Sequence, residues 1–216
     1  MAIHKTRKRG AATAKRTVLC RDSLPWLEGQ KGALDAVVAS IPEMEEVGLK
    51  KEAYVEFFRK AARLCLEAVK PTGYCVFLQT DRKKAGWIDK AYMIADEAEA
   101  VESKMLWHKI ALRVDVGKKD IFRPGYSHML CFSKKGSVGP LLPDVVARGS
   151  VTYKHAFGLD AVRLVIGYLK EQGVKHVVDP FVGSGTTLAV ANEAGLKATG
   201  LDIDKKQCAA ALKLKL

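Results

Sequence analysis

The residues best suited to chemistry stand at 177–187: Val177-Val178-Asp179-Pro180-Phe181-Val182-Gly183-Ser184-Gly185-Thr186-Thr187. An apolar run ends on a carboxylate, turns through two glycines and opens a helical pattern. Glycines let a backbone approach a ligand closely, and a helix start presents unpaired amides. A triphosphate site needs a lysine after the second glycine, but Thr186 and Thr187 follow Gly185. A dinucleotide site wants a third glycine three residues on, where Leu188 stands. Asp179 would also repel a pyrophosphate, whereas it suits a ligand bearing an ammonium and a sulfonium. Asp202 ends the next apolar run, where an acid can bind both hydroxyls of a ribose. S-adenosylmethionine has these features: a cationic methionine end, a ribose, an adenine and no phosphate. A purely structural glycine turn is the competing reading, and the two flanking acids weigh against it.

These groups need a scaffold. The chain from Thr17 onward alternates short β-rich runs with longer helical patterns. Strands are predicted at 17–20, 35–40, 74–79, 104–113, 127–133, 175–179 and 197–202. Asp22 and Ser23 favour a turn after the first of them. Between Lys51 and Val69 the apolar residues Tyr54, Phe57, Phe58, Ala61, Leu64, Cys65 and Ala68 recur at three- and four-residue spacing, one face of an amphipathic helix. Further helices are expected near 87–101, 159–171, 185–194 and from Asp204, and 136–149 reads as a surface loop. Strands separated by crossover helices imply a doubly wound α/β domain whose sheet is mostly parallel and covered on both faces.

Composition agrees with one such domain. The chain has 216 residues, 48% apolar and 28% charged, which excludes collagen-like and wholly disordered readings. Its apolar runs, such as 36–41, fall far short of the ~20 residues that span a bilayer, and the N-terminus lacks the apolar stretch of a secretory signal. We therefore expect an intracellular protein, cytoplasmic or nuclear, with no membrane association. The five cysteines are scattered without metal-ligand spacing, so reduced thiols and no metal are expected. The formal charge is +12, and Lys5, Arg7, Lys8, Arg9, Lys15 and Arg16 supply half of it within residues 1–16. Those residues read as a basic arm ahead of a domain at 17–216. A solubility tail, a nucleic-acid arm, a nuclear signal and an organelle transit peptide are its alternatives.

The segment Asp179-Pro180-Phe181-Val182-Gly183-Ser184-Gly185-Thr186-Thr187 resembles the cofactor motif of DNA methylases that modify exocyclic amines of adenine or cytosine. The circularly permuted (beta-class) members of that family place this motif late and the catalytic motif early. The resemblance implies a seven-stranded Rossmann-like methyltransferase sheet, with strands three to seven supplied first and strands one and two last. It also implies S-adenosylmethionine as cofactor. Asp179, Phe181, Gly183 and Gly185 would border its methionine half, with Pro180, Ser184 and Thr186 also among the cofactor-binding residues. Asp202 would hold the ribose and Asp22 the adenine amine. Residues around Lys154–Gly158 resemble the segment beside the methionine end, without the family's usual Lys-Pro pair.

The catalytic motif of that family is Asp, Asn or Ser, then Pro-Pro, then an aromatic. Here Ser40-Ile41-Pro42-Glu43 follows the strand at 35–40. Ser40 and Pro42 fit, Ile41 replaces a proline, and Glu43 replaces the ring. A side-chain oxygen and a backbone carbonyl would accept from the target amine and aim its lone pair at the methyl, while the ring stacks on the base. With a carboxylate at 43, the expectation is that Glu43 contacts the acceptor; a solvated loop acid beside Glu45 and Glu46 is the alternative.

Other segments are weaker candidates. Gln79-Thr80-Asp81 ends a strand on the ligand edge and is expected to line the pocket. Arg82-Lys83-Lys84 reads as a solvated loop, with phosphate contact as the competitor. Trp107, His108 and His128 read as core residues rather than base-stacking groups. The function expected is methyl transfer to a nucleic-acid base, in DNA or structured RNA such as tRNA. The alternatives are a protein or small-molecule methyltransferase, and an inactive cofactor- and RNA-binding subunit. A protein partner or homodimer is compatible with each.

Overall fold

The computed structural model describes residues 15–83, 86–153 and 156–216. Most of the basic arm, Lys84, and the Lys154-His155 pair lie outside the described residues.

In chain order the elements are β1 (Arg16–Cys20), α1 (Ser23–Glu28), β2 (Leu34–Ala39), α2 (Met44–Val47), α3 (Lys51–Ala68), β3 (Val69–Gln79), α4 (Lys90–Ala100), β4 (Lys104–Leu112), β5 (Tyr126–Ser133), β6 (Val145–Ala147), α5 (Leu159–Glu171), β7 (His176–Asp179), α6 (Thr186–Glu193), β8 (Lys197–Asp202) and α7 (Lys205–Lys213). The strands form one sheet in the order β1-β8-β7-β2-β3-β5-β4-β6. Among the described strands, the β3–β5 and β4–β5 pairs are antiparallel and the other pairs parallel. Counting β7 and β8 as strands one and two turns the first seven positions into 3-2-1-4-5-7-6, the permuted sheet that the resemblance implies.

The central strand β2 explains its own composition. It lies between β7 and β3 and is covered on both faces, so Ala36, Val37, Val38 and Ala39 are all buried. One core joins Val37, Ala39, Cys75 and Phe77 to Phe58, Cys65 and Ile94 of α3 and α4. The other joins Ala36, Val38, Val76 and Leu78 to Val162, Ile166 and Leu188 of α5 and α6. Helix α3 spends its apolar stripe on the first core, as its spacing predicts.

Four details differ from the sequence expectation. An eighth strand, β6, forms inside the expected surface loop, pairing with the outer edge of β4. The Asp22-Ser23 turn is the start of α1, because the Asp22 carboxylate accepts from Leu24 N at 2.9 Å and caps the helix. A single turn, α2, follows the Ser40–Glu43 segment. Arg16, assigned to the arm, is the first residue of β1; its guanidinium donates to Asn192 Oδ1 and to the carbonyls of Ala211 and Leu214. Four cysteines are buried and Cys20 is exposed. Among the described residues no helix is long and apolar enough to cross a membrane.

Candidate active site

Strand order reverses between β7 and β2, and at such a switch point the loops leaving the two strands diverge and open a crevice at their carboxyl ends. A cavity of about 1220 Å³ occupies it. Its walls come from the ends of β1, β2, β3, β7 and β8, so segments far apart in sequence converge. Arg21 and Asp22, Ser40 to Glu43, Gln79 and Thr80, Asp179 to Gly183, and Asp202 all line it.

At the cofactor end, Asp179 is 4% exposed and accepts from Phe181 N at 3.1 Å. Burial pushes its carboxyl up to about 6, against the opposing effect of its bonds to Thr187 and Phe181 N; the neighbouring Asp202 pushes the same way as burial. Asp202 ties the two halves of the turn together. Its Oδ2 accepts from Gly183 N at 3.1 Å and its Oδ1 from Asp204 N at 2.9 Å. Arg21 N donates to the Asp202 carbonyl at 2.9 Å, which brings the next residue, Asp22, to the same rim.

Gly183 and Gly185 both have positive φ, +50° and +93°. A Cβ on Gly183 would lie 2.5 Å from the Tyr153 hydroxyl, and one on Gly185 would lie 2.6 Å from Ala211 Cα. The first glycine keeps the turn open toward the cavity; the second lets α7 close behind it. Ser184 and Gly185 accordingly do not line the cavity. The Ser184 hydroxyl donates to Gln207 Oε1 at 2.7 Å, and the Thr186 hydroxyl, on the cavity wall, bonds that of Thr152.

At the other end, Ser40 is exposed at the tip of β2, while Ile41 is buried. The loop carbonyls are held from below: Gln79 Nε2 donates to Ile41 O at 3.3 Å and the Tyr54 hydroxyl to Pro42 O at 3.0 Å. Glu43 lines the cavity, but its carboxylate is engaged. Glu43 Oε1 lies 2.7 Å from Nζ of Lys90, a fully buried side chain, and 3.6 Å from a guanidinium nitrogen of Arg123. The Lys90–Glu43 geometry is an ion pair without a well-directed hydrogen bond. Burial lowers the Lys90 ammonium from its ordinary pKa, and Glu43 opposes that. The rings of Tyr54 and Phe58, 5.9 and 5.8 Å away, complete its surroundings.

Beneath this loop runs a second polar chain. Asp81 accepts from Lys90 N at 2.8 Å and meets His128 Nε2 at 3.0 Å; His128 Nδ1 meets His108 Nε2 at 2.8 Å. Burial raises the Asp81 carboxyl, but His128 and the amides of Lys90 and Ala91 outweigh it and hold it below the ordinary range. Asp81 is therefore buried under the loop and does not line the cavity as expected, whereas Gln79 and Thr80 do. His128 and Trp107 are buried, the latter edge-on to Tyr168.

Four arginines line the cavity away from the Asp202 rim: Arg82, Arg113, Arg123 and Arg148. Arg82 is not a solvated loop residue, since its side chain is 13% exposed and paired with Glu45. Lys83 Nζ donates to the Asp120 carbonyl at 2.7 Å. Sequence reasoning missed Tyr54, Lys90 and Phe122 of the 113–125 segment. The one available signal was an apolar pair, Ile121-Phe122, inside a turn-rich stretch. Among the described residues no cluster of histidines, cysteines and acids could hold a metal.

Residues 162–213 match the DNA methylase family. A segment of 51 residues is 35% identical to the type II methyltransferase M.AvaI of Nostoc sp. (strain PCC 7120) and of Anabaena variabilis. That segment is 24% of this chain and spans 11% of the length of those relatives. Among solved structures, the cytosine-N4-specific PvuII DNA methyltransferase superposes with a TM-score of 0.74 at 18% identity, over 93% of this chain and 86% of that one. The complex of M1.HpyAVI with S-adenosylmethionine superposes with a TM-score of 0.64 at 16% identity, over 92% and 98%. The chain shares its fold with these two methyltransferases. Within it, the matched segment runs from α5 through α7 and so contains Asp179, both turn glycines and Asp202. The superposition, over 93% of the chain, extends the likeness of fold well beyond that segment.

Proposed function

We propose that this protein transfers a methyl group from S-adenosylmethionine to an exocyclic amine of a nucleic-acid base. The observation that carries the reading is the single cavity that joins the Asp179–Asp202 turn to Ser40. The DNA methylase match and the names of the similar proteins favour DNA as substrate. Structured RNA is the competing acceptor.

The residues present fit the cofactor. Asp179 is a buried carboxyl held up at about 6, with no cation beside it among the described residues, a group awaiting a positive partner. Gly183 keeps open a space that any side chain would fill. Asp179, Pro180, Phe181 and Gly183 would hold the methionine end, Asp202 the ribose and Asp22 the adenine, with Thr186 and Thr187 closing the wall. When bound, the cofactor supplies an electrophilic methyl on a sulfonium. Ser40 Oγ accepts one amine hydrogen of the target, and a carbonyl of the Ile41-Pro42 pair accepts the other through its free lone pair. The nitrogen lone pair is then aimed in line with the methyl, and such positioning supplies much of the rate. Gln79 and Tyr54 keep these carbonyls in place, and Glu43 anchors the loop to Lys90. A base inside a duplex would have to swing out to reach Ser40.

One observation favours a second reading. With Glu43 engaged and no ring at position 43, the chain could serve as a cofactor-binding subunit without turnover of its own. The test is transfer of labelled methyl from S-adenosylmethionine into DNA, tRNA, rRNA and protein fractions, with Asp179→Ala, Ser40→Ala and Glu43→Ala beside the parent. Label in DNA that Asp179→Ala and Ser40→Ala abolish supports the proposal. Label in RNA or protein alone redirects it, and cofactor binding without label supports the second reading.

A further inference from the structure

We infer that Cys20 and Cys208 form a reversible disulfide site at the rim of the cofactor cavity, and that closing the disulfide weakens cofactor binding. The site itself stands apart from the methyl-transfer reading; only its effect on the cofactor rests on that reading. Cys20 ends β1 and pairs in register with Asp202, the last residue of β8. Cys208 belongs to α7, which packs against β1 and is held at its far end by the bonds of Arg16 to the Ala211 and Leu214 carbonyls. The two sulfurs hang from neighbouring carbonyls. Cys20 Sγ donates to Ile203 O at 3.8 Å and Cys208 Sγ to Asp202 O at 3.4 Å, and the two thiols also meet each other.

Their surroundings give the two thiols different roles. Cys20 is exposed and Cys208 is buried. Burial, and then the contact with Cys20, pushes the Cys208 thiol up to about 11. A small-molecule disulfide such as oxidised glutathione therefore meets Cys20 first. The Cys20 thiolate attacks one of its sulfurs, a mixed disulfide forms and one reduced glutathione leaves; Cys208 sulfur then displaces the second. The two cysteines are oxidised, one glutathione disulfide is reduced to two thiols, and both cysteine protons leave on them. Cys65, Cys75 and Cys131 are fully buried and burial raises all three thiols, which keeps them out of the exchange.

The disulfide acts on the cofactor rim through Asp202. Closing it brings the sulfurs to about 2.05 Å and leaves neither thiol a hydrogen for its carbonyl. Asp202 O loses the Cys208 donor, and the tip of β1, where Arg21 N donates to the same carbonyl at 2.9 Å, is drawn toward α7. Asp22 and Asp202, the cavity acids of this rim, stand on that tip and that strand end. The reduced arrangement is the one matched to the ligand.

The test equilibrates the whole chain in glutathione buffers of graded thiol-to-disulfide ratio, quenches it by alkylation and maps the cysteines by peptide mass spectrometry. Calorimetry then reads the S-adenosylmethionine affinity of the reduced and oxidised protein. The map should show a Cys20–Cys208 bond that dithiothreitol reverses. The oxidised protein should bind S-adenosylmethionine about 5- to 150-fold more weakly, and saturating cofactor should by reciprocity shift the balance toward the thiols by the same factor. Cys20→Ser should keep the affinity of the reduced parent in every buffer, and Cys208→Ser should stop at glutathione on Cys20. The inference is overturned if the parent's thiols stay reduced or carry glutathione alone, or if the bond joins other cysteines. It is equally overturned if the oxidised parent keeps its affinity, or if Cys20→Ser loses affinity on oxidation as well. A reduced parent without affinity for S-adenosylmethionine defeats the methyl-transfer reading instead, while the map still decides whether the disulfide forms.

Discussion

Two buried charges shape the chemistry at the residue scale. Asp179 has its carboxyl raised from 3.8 to about 6, so the unfolded chain gives up this proton more readily than the folded one. Its contribution to the stability of the cofactor-free protein is fully present below pH 3.8 and is lost as pH rises through 6. Near pH 7 the Asp179→Asn variant should therefore be more stable than the parent by up to roughly 3 kcal/mol, a gap that closes toward pH 4. Urea unfolding at several pH values measures it. A cationic ligand needs the ionised form, so affinity for S-adenosylmethionine should fall about tenfold per pH unit below 6 and level off above it, and Asp179→Asn should flatten the profile; calorimetry reads both. At the other end of the cavity, Glu43→Gln leaves the Lys90 ammonium without its counter-ion. We expect a loss of up to about 3 kcal/mol, less than for a fully dry pair because Lys90 can shed its proton. Adding Lys90→Met should recover most of it, since the pair then leaves no buried charge. A double-mutant cycle in urea is the measurement.

Elements matter here through how tightly they close on the turn. Helix α6 begins immediately after Gly185, with α7 lying across its first turn, so the turn is pressed between cavity and helix. Gly185→Ala combines a positive φ with a Cβ 2.6 Å from Ala211 Cα, neither of which side-chain rotation can relieve. It should cost about 2–4 kcal/mol, read as a lower urea midpoint with an unchanged slope. Gly183→Ala meets the movable Tyr153 hydroxyl instead, so its larger effect should be on cofactor affinity. The same logic explains Arg16. A residue that reads as the end of a charged arm ties the first strand to the end of α7, because the last carbonyls of a helix lack partners and a guanidinium supplies them.

Across the whole molecule, charge is unevenly spread along one cavity: Asp22, Asp179 and Asp202 line the β1, β7 and β8 ends, while Arg82, Arg113, Arg123 and Arg148 line the other side together with Glu43, Glu45, Glu46 and Asp120. The three aspartates fit a cofactor with a cationic end, and the arginines fit a substrate with a phosphate backbone. DNA binding should weaken steeply with salt, and removing one arginine that neutralises a phosphate should reduce the log–log slope by roughly 0.7–0.9. Arg148→Gln is expected to lower the slope by about that amount while leaving cofactor affinity alone, in anisotropy titrations across a salt series.

Much of this was legible in the residues themselves. The Asp179–Thr187 turn, Asp202 and the strand leading to Ser40 could be read because buried parallel strands are continuous apolar runs and their carboxyl ends converge by topology. Permutation could be read too, since it is a matter of the order of motifs. The role of position 43 could not. An acid beside Glu45 and Glu46 looks solvated, and only the packing of α4 places Lys90, forty-seven residues later, against it. Phe122 and the pairing of β6 were hidden for the same reason. Local sequence sets the period and the turns, whereas a contact between distant segments depends on how two loops meet at a sheet edge, which no spacing within either loop encodes.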